Sequence, residues 1–371
     1  MNSNRWEVYN RGGKYRVLVT KMLPGDQWLR ILEEANYQIE VSTSNTLNSK
    51  DTLIKKIKGH CAGAIGQLTE QWDEDVLEAL NKADGRIYCN YAVGYDNVDL
   101  KAATEKGIAV GNTPGVLTET TAELAVALTL ACARRVVESD RYVRKDQYQG
   151  WLPKLFLGKR LTGQTVGVVG AGRIGSAYAK LMTSGFGMDV IYFSRSKNVK
   201  LEEDIARNRD SNIIKRANSL KNLLKNSNIV SLHTPLNKGT YHLIGAEQLS
   251  QMKDDAILIN TSRGAVVDEA ALAKHCKKNI QFKAGLDVFE NEPIVNDDLK
   301  GLKNVTLTPH IGSATRWTRE AMALLASLNI KGVIEEYPVW KEERISPFLE
   351  ITPPNAIPSI VNSKSLNFNA N

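Results

Sequence analysis

Three residues in the second half of the sequence have side chains that suit the reduction of a 2-oxo acid. Arg263 follows the apolar run "AILIN", Glu292 follows "AGLDVF" and His310 follows "VTLTP". An arginine can bind a carboxylate through two parallel hydrogen bonds. A histidine can give a proton to a carbonyl oxygen while a hydride reaches the carbon, and a carboxylate beside it would fix its tautomer and stabilise its charged form. We therefore predict these three as the catalytic residues.

The strands predicted before these residues belong to a series in which strands alternate with helical patterns. It begins at Thr165 and reads "TVGVV", "DVIYF", "IVSLH", "AILIN", "AGLDVF" and "VTLTP". Such alternation predicts a parallel sheet with helices on its faces, and ligands bind beyond the carboxyl ends of its strands. We therefore expect the three residues on one edge of one sheet. Taken singly, each has a simpler interpretation, since an arginine after a strand is usually exposed and a lone histidine is usually structural.

A glycine pattern at the start of this series indicates a nucleotide site. Gly170, Gly172 and Gly175 form G-x-G-x-x-G between the strand "TVGVV" and a helical run that begins near Arg173. In this context the glycines predict a tight turn where a pyrophosphate reaches the free N–H groups of the helix N-terminus. A purely structural turn is the alternative. His233, at the end of "IVSLH", either lines the same cofactor cleft or packs in the core.

The end of the next strand indicates which dinucleotide fits. NAD sites place an acidic residue there, about 20 residues after the glycine turn, whereas this chain has Ser194, Arg195, Ser196 and Lys197. A carboxylate would repel a 2′-phosphate, and an arginine with two hydroxyl groups can bind one. We predict that Ser194, Arg195 and Ser196 contact the cofactor, that NADP is preferred and that NAD remains usable. A solvated loop with incidental charges is the alternative.

The first half of the sequence predicts another unit of the same class. The strand "YRVLVT" and the runs "GAIGQLT" and "GRIYCNYAVGYDNVD" alternate with helical patterns. Residues 118–145, "TETTAELAVALTLACARRVVESDRYVRK", fit one long helix between the two units. The expected fold is therefore α/β, with two Rossmann-like, doubly wound domains.

The composition narrows the classes of function. Of the 371 residues, 42% are hydrophobic and 24% are charged, which is typical of a globular protein. The net charge of +7 is scattered along the chain, so a nucleic-acid surface is not predicted. The apolar runs are too short to span a bilayer, and neither the four cysteines nor the histidines have metal-ligand spacing. We expect a small anionic substrate, with no metal, no nucleic acid and no membrane.

Beyond these motifs, the sequence resembles the D-2-hydroxyacid dehydrogenase family and, within it, the plant-type hydroxypyruvate reductases, which are glycerate dehydrogenases. The resemblance covers nearly the whole chain. It rests on "GQLTEQW", "YAVGYDNVD", "GNTPGVLTETTAELA", "GWLPKLFLG", "GQTVGVVGAGRIGSAYA", "TSRGAVVDE", "GLDVFENEP", "WTREAMA", "LNIKGVIEEYPVW" and "IPSIVNSK".

The resemblance implies NAD(P)H-dependent reduction of hydroxypyruvate to D-glycerate, and also of glyoxylate to glycolate. It implies that Arg263 binds the substrate, that His310 is the general acid and that Glu292 completes the catalytic trio. The other implied substrate contacts are Leu68, Val93 and Gly94. The implied cofactor contacts, besides the glycines and the serine–arginine loop, are Thr118, Arg173, Ile174, Pro235, Thr261, Asp287 and Gly312.

The resemblance also implies an organisation of the chain. Residues 1–116 with 317–371 would form a substrate-binding domain, and residues 117–316 an NAD(P)-binding domain, with the active site in a deep interdomain cleft. A homodimer would form through the helix after Thr118, and Trp151 would reach the active site of the partner.

Two features depart from the plant-type pattern. NADH-using members carry Asp where this chain has Ser194, and peroxisomal members end in Ser-Lys-Leu, whereas this chain ends in "NFNAN". We expect a cytoplasmic location, with a peroxisomal one as the alternative. The alternative functions are another D-2-hydroxyacid dehydrogenase and a dinucleotide-sensing, corepressor-like binding protein. A formate dehydrogenase is disfavoured, because those enzymes of this fold carry Gln where Glu292 stands.

Overall fold

The chain folds into two α/β units, which the computed structural model describes over residues 5–208 and 213–368. The first unit comprises residues 5–117 and 314–368, and the second comprises the described residues between 118 and 313. The chain therefore leaves the first unit once and returns to it after completing the second. The expected division of substrate and cofactor binding between the two units stays a prediction.

Strands alternate with helices through most of the described chain. The strands are β1 (Trp6–Tyr9), β2 (Tyr15–Val19), β3 (Tyr37–Ser42), β4 (Gly63–Gly66), β5 (Ile87–Asn90), β6 (Ala109–Gly111), β7 (Thr165–Val169), β8 (Asp189–Phe193), β9 (Ile214–Arg216), β10 (Ile229–Leu232), β11 (Ile257–Asn260), β12 (Lys283–Leu286) and β13 (Val305–Leu307). The helices are α1 (Gln27–Glu34), α2 (Lys50–Ile57), α3 (Glu74–Lys82), α4 (Leu100–Glu105), α5 (Thr118–Ala133), α6 (Val136–Arg144), α7 (Arg173–Phe186), α8 (Val199–Asn208), α9 (Leu220–Asn226), α10 (Ala246–Ser250), α11 (Glu269–Lys278), α12 (Asp297–Lys300) and α13 (Arg316–Ile334).

The first unit contains a six-stranded sheet in the order β1-β3-β2-β4-β5-β6. β1 pairs with β3 in antiparallel fashion, and the other pairs are parallel. β4 and β5 are buried along their whole length, as expected for parallel strands that helices cover on both faces. α13 packs against these strands and is itself mostly buried.

The second unit contains a seven-stranded parallel sheet in the order β13-β12-β11-β10-β7-β8-β9. The chain runs outward from β7 to β9 on one side and from β10 to β13 on the other, so the order reverses between β7 and β10. In open α/β sheets the ligand binds at such a reversal, beyond the carboxyl ends of the strands. The two sheets confirm the predicted α/β, Rossmann-like fold class.

Several helices begin where the sequence supplies a capping side chain. Asp99 begins α4 by accepting a hydrogen bond from a first-turn backbone N–H, Asp268 does the same for α11 and Thr315 for α13. Such caps satisfy one of the N–H groups that a helix N-terminus leaves without an internal partner. α7 differs, because its capping position is Gly172, which has no side chain.

Residues 118–145 do not form the single helix predicted from the sequence. Arg135 adopts a left-handed backbone with φ of 55°, and this residue separates α5 from α6. Its Nε donates to Glu138 Oε2 at 2.7 Å, and its carbonyl oxygen accepts from Ser139 Oγ at 2.9 Å. The prediction is wrong here because the apolar pattern continues across a corner that these polar contacts stabilise.

The set of strands predicted from the sequence lacks β1, β3, β6 and β9. β6 and β9 have three residues each, which is too short for a recognisable periodic pattern. β3, "YQIEVS", does show alternating burial and was recognisable in principle. β9, "IKR", is the edge strand beside β8 and is largely exposed, so no apolar run marks it.

The described part of the chain contains no helix long and apolar enough to cross a membrane, and no group of three or more His, Cys, Asp or Glu side chains that could hold a metal. The four cysteines are buried and free. Burial raises the pKa of the Cys61 thiol to about 11 and that of Cys89, Cys132 and Cys276 to about 12. These thiols are therefore protonated and inert at neutral pH.

Candidate active site

The glycine turn joins β7 to α7 with the close packing that its sequence predicts. Gly170 has φ of +93°, a region that side-chain-bearing residues rarely adopt. A Cβ added to Gly175 would lie 2.1 Å from the carbonyl oxygen of Gly170, so only glycine allows the helix to approach the strand. A Cβ added to Gly172 would meet no atom within 4 Å. The turn thus presents bare backbone at Gly172, directly before the N-terminus of α7.

This arrangement fits the phosphates of a dinucleotide. The first turn of α7 contains no acidic residue, and no side chain caps it, so its N–H groups and the helix dipole are available to an anion. The two strands that follow β7 on one side of the sheet, β10 and β11, are each followed by a threonine, Thr234 and Thr261. The hydroxyl groups of both threonines are buried and have no hydrogen-bond partner among the described residues. Buried polar groups normally have partners, so these hydroxyls fit a ligand that supplies them.

The remaining residues predicted to contact the cofactor lie in the same unit. Arg173 and Ile174 are the first residues of α7, Pro235 follows β10, and Thr118 is the first residue of α5. Asp287 follows β12 and Gly312 follows β13. Except for Thr118, the structure brings all of them to segments that leave the carboxyl ends of strands. Their contacts with a cofactor stay a prediction.

The loop after β8 contains Ser194, Arg195 and Ser196 in the setting expected for a ribose-binding loop. Ser194 is partly buried, and its Oγ donates to the carbonyl oxygen of Ser196 at 2.5 Å. Arg195 and Ser196 are exposed. Lys197 is exposed and is paired with Glu202 at 3.0 Å. Two further residues, Asn198 and Arg216, hold this loop and were not predicted, because neither stands in a motif and β9 has no sequence signal.

His310 and Glu292 form the pair that the sequence predicts. Nδ1 of His310 lies 2.8 Å from Oε2 of Glu292, and both side chains are partly buried. The other carboxylate oxygen, Oε1, accepts a hydrogen bond from the backbone N–H of Phe289 at 3.0 Å. Glu292 is thereby fixed from two sides, and it fixes the orientation of the imidazole. Nε2 of His310 is left as the ring nitrogen that can face a substrate.

Asp287 holds the turn that carries His310. Its carboxylate accepts hydrogen bonds from Thr308 Oγ1 at 2.6 Å, from the N–H of Ile311 at 2.8 Å and from the N–H of Gly312 at 2.8 Å. The N–H of His310 donates to the Asp287 carbonyl oxygen at 2.8 Å, and His310 has a left-handed backbone with φ of 53°. Burial raises the pKa of the Asp287 carboxyl. Its carboxylate is thus engaged in shaping the histidine turn, in addition to the cofactor contact predicted for it.

Arg263 follows β11 at the start of a short 3₁₀ turn, Gly264–Val266. Its backbone carbonyl accepts from the Asn260 side chain at 2.9 Å, and its Nη1 donates to the Ser262 carbonyl oxygen at 2.8 Å. A Cβ added to Gly264 would lie 1.8 Å from the carbonyl carbon of Phe289. The Arg263 segment therefore packs backbone to backbone against the segment that leads to Glu292. The three predicted catalytic residues lie on three successive loops of one sheet edge.

Three ionisable residues that the sequence does not predict, His242, Glu290 and Glu269, are connected to one another near Glu292. The imidazole Nε2 of His242 pairs with Glu290 Oε1. Glu290 is also joined to Glu269, because its N–H donates to Glu269 Oε1 at 2.7 Å and its Oε2 accepts from the Glu269 N–H at 3.3 Å. Burial raises the pKa of Glu269, and the charge of Glu290 raises it further. The only sequence signal for these three residues was the position of Glu290 two residues before Glu292.

His233 directly follows β10 and is partly buried in the second unit. Its Nε2 lies 2.8 Å from Ser231 Oγ, and its ring centroid lies 5.2 Å from that of Tyr178. Burial lowers the pKa of His233 to about 3, so the imidazole is neutral at physiological pH. These contacts are those of a packed side chain, and whether His233 also lines the cofactor cleft stays a prediction. A role as the charged general acid is disfavoured.

In the first unit, Leu68, Val93 and Gly94 lie on the segments that follow β4 and β5. Two buried asparagines join these segments. The Nδ2 of Asn97 donates to the carbonyl oxygens of Gln67 and Glu70 at 3.3 and 2.8 Å, and the Nδ2 of Asn90 donates to the Gly94 carbonyl oxygen at 2.7 Å and to Asn97 Oδ1 at 2.9 Å. The two segments predicted to contact the substrate are therefore held together by hydrogen bonds to their backbones.

The sequence is similar to known D-2-hydroxyacid dehydrogenases over most of its length. A family model described as "D-isomer specific 2-hydroxyacid dehydrogenase, NAD binding domain" matches residues 126–312. The sequence is 51% identical over 372 residues to a glycerate dehydrogenase of Arabidopsis thaliana named as peroxisomal, covering 97% of this chain and 96% of that protein. It is 46% identical to a glyoxylate reductase of Thermococcus litoralis, covering 85% of this chain and 93% of the relative.

Solved structures share the fold. The crystal structure of an NADPH-dependent glyoxylate/hydroxypyruvate reductase of Sinorhizobium meliloti, in complex with NADP and malonate, aligns with a TM-score of 0.72 at 29% identity, covering 88% of this chain and 95% of that one. The TT0316 protein of Thermus thermophilus aligns with a TM-score of 0.77 at 42% identity, covering 86% and 97%. The similarity therefore includes most of the sequence of both units.

Proposed function

The chain belongs to the D-2-hydroxyacid dehydrogenase family, and from this premise we propose that it reduces hydroxypyruvate to D-glycerate and glyoxylate to glycolate. Relatives that match over most of both chains are named for these substrates. A reduced nicotinamide dinucleotide, held at the glycine turn, supplies the hydride. The protein's own residues bind the substrate carboxylate, orient the carbonyl group and deliver a proton to its oxygen.

His310 donates the proton to the carbonyl oxygen from Nε2. Glu292 keeps the other ring nitrogen, Nδ1, engaged and stabilises the charged imidazole before the proton leaves. Arg263 binds the substrate carboxylate through its planar guanidinium group, which orients the carbonyl carbon for the hydride. The observation that carries this proposal is the 2.8 Å contact between His310 and Glu292 on the edge of the sheet that also has the glycine turn.

A turnover assay with three 2-oxo acids and two cofactors tests the proposal. Hydroxypyruvate, glyoxylate and pyruvate are each supplied with NADPH or NADH, and oxidation of the cofactor is followed by absorbance. We expect steady turnover with the first two acids. Turnover of pyruvate alone would indicate a different dehydrogenase of the family. Dinucleotide binding by calorimetry without turnover of any of the three would indicate a sensing protein, the alternative of a different class.

For the cofactor, we propose that NADPH is preferred and that NADH is also used. The loop at residues 194–197 has no acidic residue to repel a 2′-phosphate, and Arg195 is exposed. A protein of the same fold, the reductase of Sinorhizobium meliloti, is described as NADPH-dependent. The ratio of kcat/KM for the two cofactors measures the preference, and a ratio that favours NADH would contradict it.

For assembly, we propose a homodimer that forms through α5 and the segment after α6. The apolar residues Leu124 and Leu130 of α5 pack against the core of the second unit and remain partly exposed. In the following segment the side chains of Trp151, Leu152 and Leu157 are 81%, 58% and 67% exposed. Apolar side chains exposed together indicate an interaction surface. Trp151 then reaches the active site of the partner, and sedimentation that shows a monomer at all concentrations would contradict both ideas.

The cytoplasmic location expected from the sequence stays a prediction. Immunogold labelling of the native, untagged protein in its source cells would test it. Label confined to peroxisomes would contradict it.

A further inference from the structure

Arg216 occupies the end of the sheet where the ribose-binding loop begins. It is the last residue of β9, the edge strand that pairs in parallel with β8. Its register partner is Tyr192, two residues before Ser194. Since the carboxyl ends of parallel strands lie on one edge of the sheet, Arg216 is on the same edge as the loop that follows β8.

The guanidinium group of Arg216 binds the backbone of that loop. Its Nη2 donates to the carbonyl oxygens of Ser194 and Arg195, each at 2.9 Å, and its Nε lies 3.3 Å from the Ser194 carbonyl oxygen. A planar group with several donors in fixed directions can hold two successive carbonyl groups at once. The contact therefore sets the direction of the peptide between Ser194 and Arg195.

The other side of the loop is held by Asn198. Its Nδ2 donates to the carbonyl oxygen of Ala171, inside the glycine turn, at 2.8 Å, and to Ser176 Oγ in α7 at 3.1 Å. Its N–H donates to Tyr192 OH at 3.0 Å. The loop thus has two anchors, of which Asn198 ties it to the turn for the pyrophosphate and Arg216 fixes the residues that face a ribose.

The charges around the loop favour an anion. Lys197 is paired with Glu202, whereas Arg216 is bound by neutral carbonyl oxygens and has no described carboxylate within ion-pair distance. Without Arg216, two carbonyl oxygens with partial negative charge would stand beside the place of a 2′-phosphate. With it, those oxygens are satisfied and a full positive charge lies behind them.

We propose that Arg216 is a second determinant of cofactor specificity, which holds the Ser194–Arg195 backbone and adds its charge to the site of the adenosine 2′-phosphate. The inference rests on the proposed preference for NADPH and names a residue on which that preference depends. Arg216 is a positioning residue, because it acts through the loop and its charge and not on the reacting atoms.

Calorimetry with two cofactor fragments tests this inference without involving catalysis. Adenosine 2′,5′-bisphosphate carries the 2′-phosphate, and 5′-AMP lacks it. In Arg216→Gln we expect the affinity for the bisphosphate to fall about ten- to a hundredfold, because the variant loses both the positive charge near the 2′-phosphate and the bonds that hold the loop against it. The affinity for 5′-AMP should change far less, and kcat/KM should fall for NADPH more than for NADH.

Lys215→Gln is the matched control, since it removes one positive charge from the adjacent exposed position of the same strand. It should leave the discrimination between the fragments intact. Equal losses in the two variants would overturn the inference, because net charge alone would then explain them. A wild-type protein that prefers the bisphosphate, with Arg216→Gln retaining the preference, would overturn the role of Arg216 alone. A wild-type protein that binds both fragments equally would overturn this inference together with the NADPH preference.

Discussion

Nδ1 of His310 and Oε2 of Glu292 lie 2.8 Å apart, so the carboxylate decides which ring nitrogen of the histidine remains for chemistry. The pair sits on a backbone that is equally constrained, because Asp287 accepts hydrogen bonds from Thr308, Ile311 and Gly312 around the histidine. The contact and the turn together give a single orientation to Nε2.

Replacement of His310 by asparagine removes the proposed general acid, and asparagine tolerates the left-handed backbone at this position. We expect kcat with hydroxypyruvate to fall about a hundred- to ten-thousandfold, the usual contribution of a positioned acid, with little change in dinucleotide affinity. Stopped-flow turnover and a binding titration measure the two quantities. His60→Gln, at a side chain that is 91% exposed in the first unit, is the control. Nearly full turnover in His310→Asn would assign the acid to another residue.

Glu292→Gln keeps the size of the side chain and removes its charge. The charged imidazole then loses the carboxylate that stabilises it, and we expect the optimum of kcat/KM to move toward acid. The fall in kcat at the new optimum should be smaller than in His310→Asn. A pH–rate profile from about pH 5 to 9 is the measurement. A profile that coincides with the wild type would show that the pairing has no kinetic role.

Arg263→Lys retains a positive charge but loses the planar pair of donors. We expect KM for hydroxypyruvate to rise and kcat to fall as well, because the carbonyl group is no longer held in line with the hydride. Arg207→Lys, at an exposed residue of α8, is a matched control. Unchanged steady-state constants in Arg263→Lys would show that Arg263 only supports its loop.

Ser194→Asp places a carboxylate at the position where NADH sites carry the acidic residue that accepts hydrogen bonds from the ribose hydroxyl groups. The new charge should repel the 2′-phosphate and reverse the order of the two cofactors, with a loss in kcat/KM for NADPH of about tenfold or more. Arg195→Ala should weaken NADPH and affect NADH much less. Parallel kinetics with both cofactors provide the internal control. Equal effects on both cofactors in both variants would contradict the assignment of this loop.

We expect His233 to make the free energy of unfolding of the protein depend on pH in mild acid. Burial lowers the pKa of His233 from 6.5 to about 3. Between these two pH values the imidazole therefore binds a proton in the unfolded chain and not in the folded chain. The contribution of the neutral imidazole to the free energy of unfolding is complete above pH 6.5 and is lost as the pH falls toward 3. Between about pH 7 and pH 5 the free energy of unfolding should decrease by up to about 2 kcal/mol more in the wild type than in His233→Gln. Urea denaturation at the two pH values measures this, and identical decreases would refute it.

The sequence predicted those strands, helices and site residues that are marked by a periodic apolar pattern or by a motif with a known structural role. The strand before Gly170, the helix after it and the positions of Glu292 and His310 after buried strands all follow from such patterns. The pair formed by His310 and Glu292 was predicted from chemistry, and the structure brings the two together.

What the sequence did not predict depends on contacts between segments that are distant in the chain. β9 has three residues and no apolar pattern, so Arg216 was not recognised although it holds the loop of Ser194. His242 and Glu290 pair across 48 positions, and no local pattern records such a pair. The corner at Arg135 was missed because apolar periodicity reports which face is buried and not the direction of the helix axis.

The three glycines of the turn after β7 are equal in the sequence motif and unequal in the structure. Gly170 and Gly175 are required by the fold, since one has a left-handed backbone and the other touches it at a distance no side chain permits. Gly172 faces open space, so the fold does not require glycine there, and we predict that the bound cofactor does. In a mutational scan of the three glycines, we therefore expect substitutions at Gly172 to lower activity without lowering the abundance of the protein. Gly172→Ala would then give a folded protein that does not bind the cofactor, for use as a reference in cells.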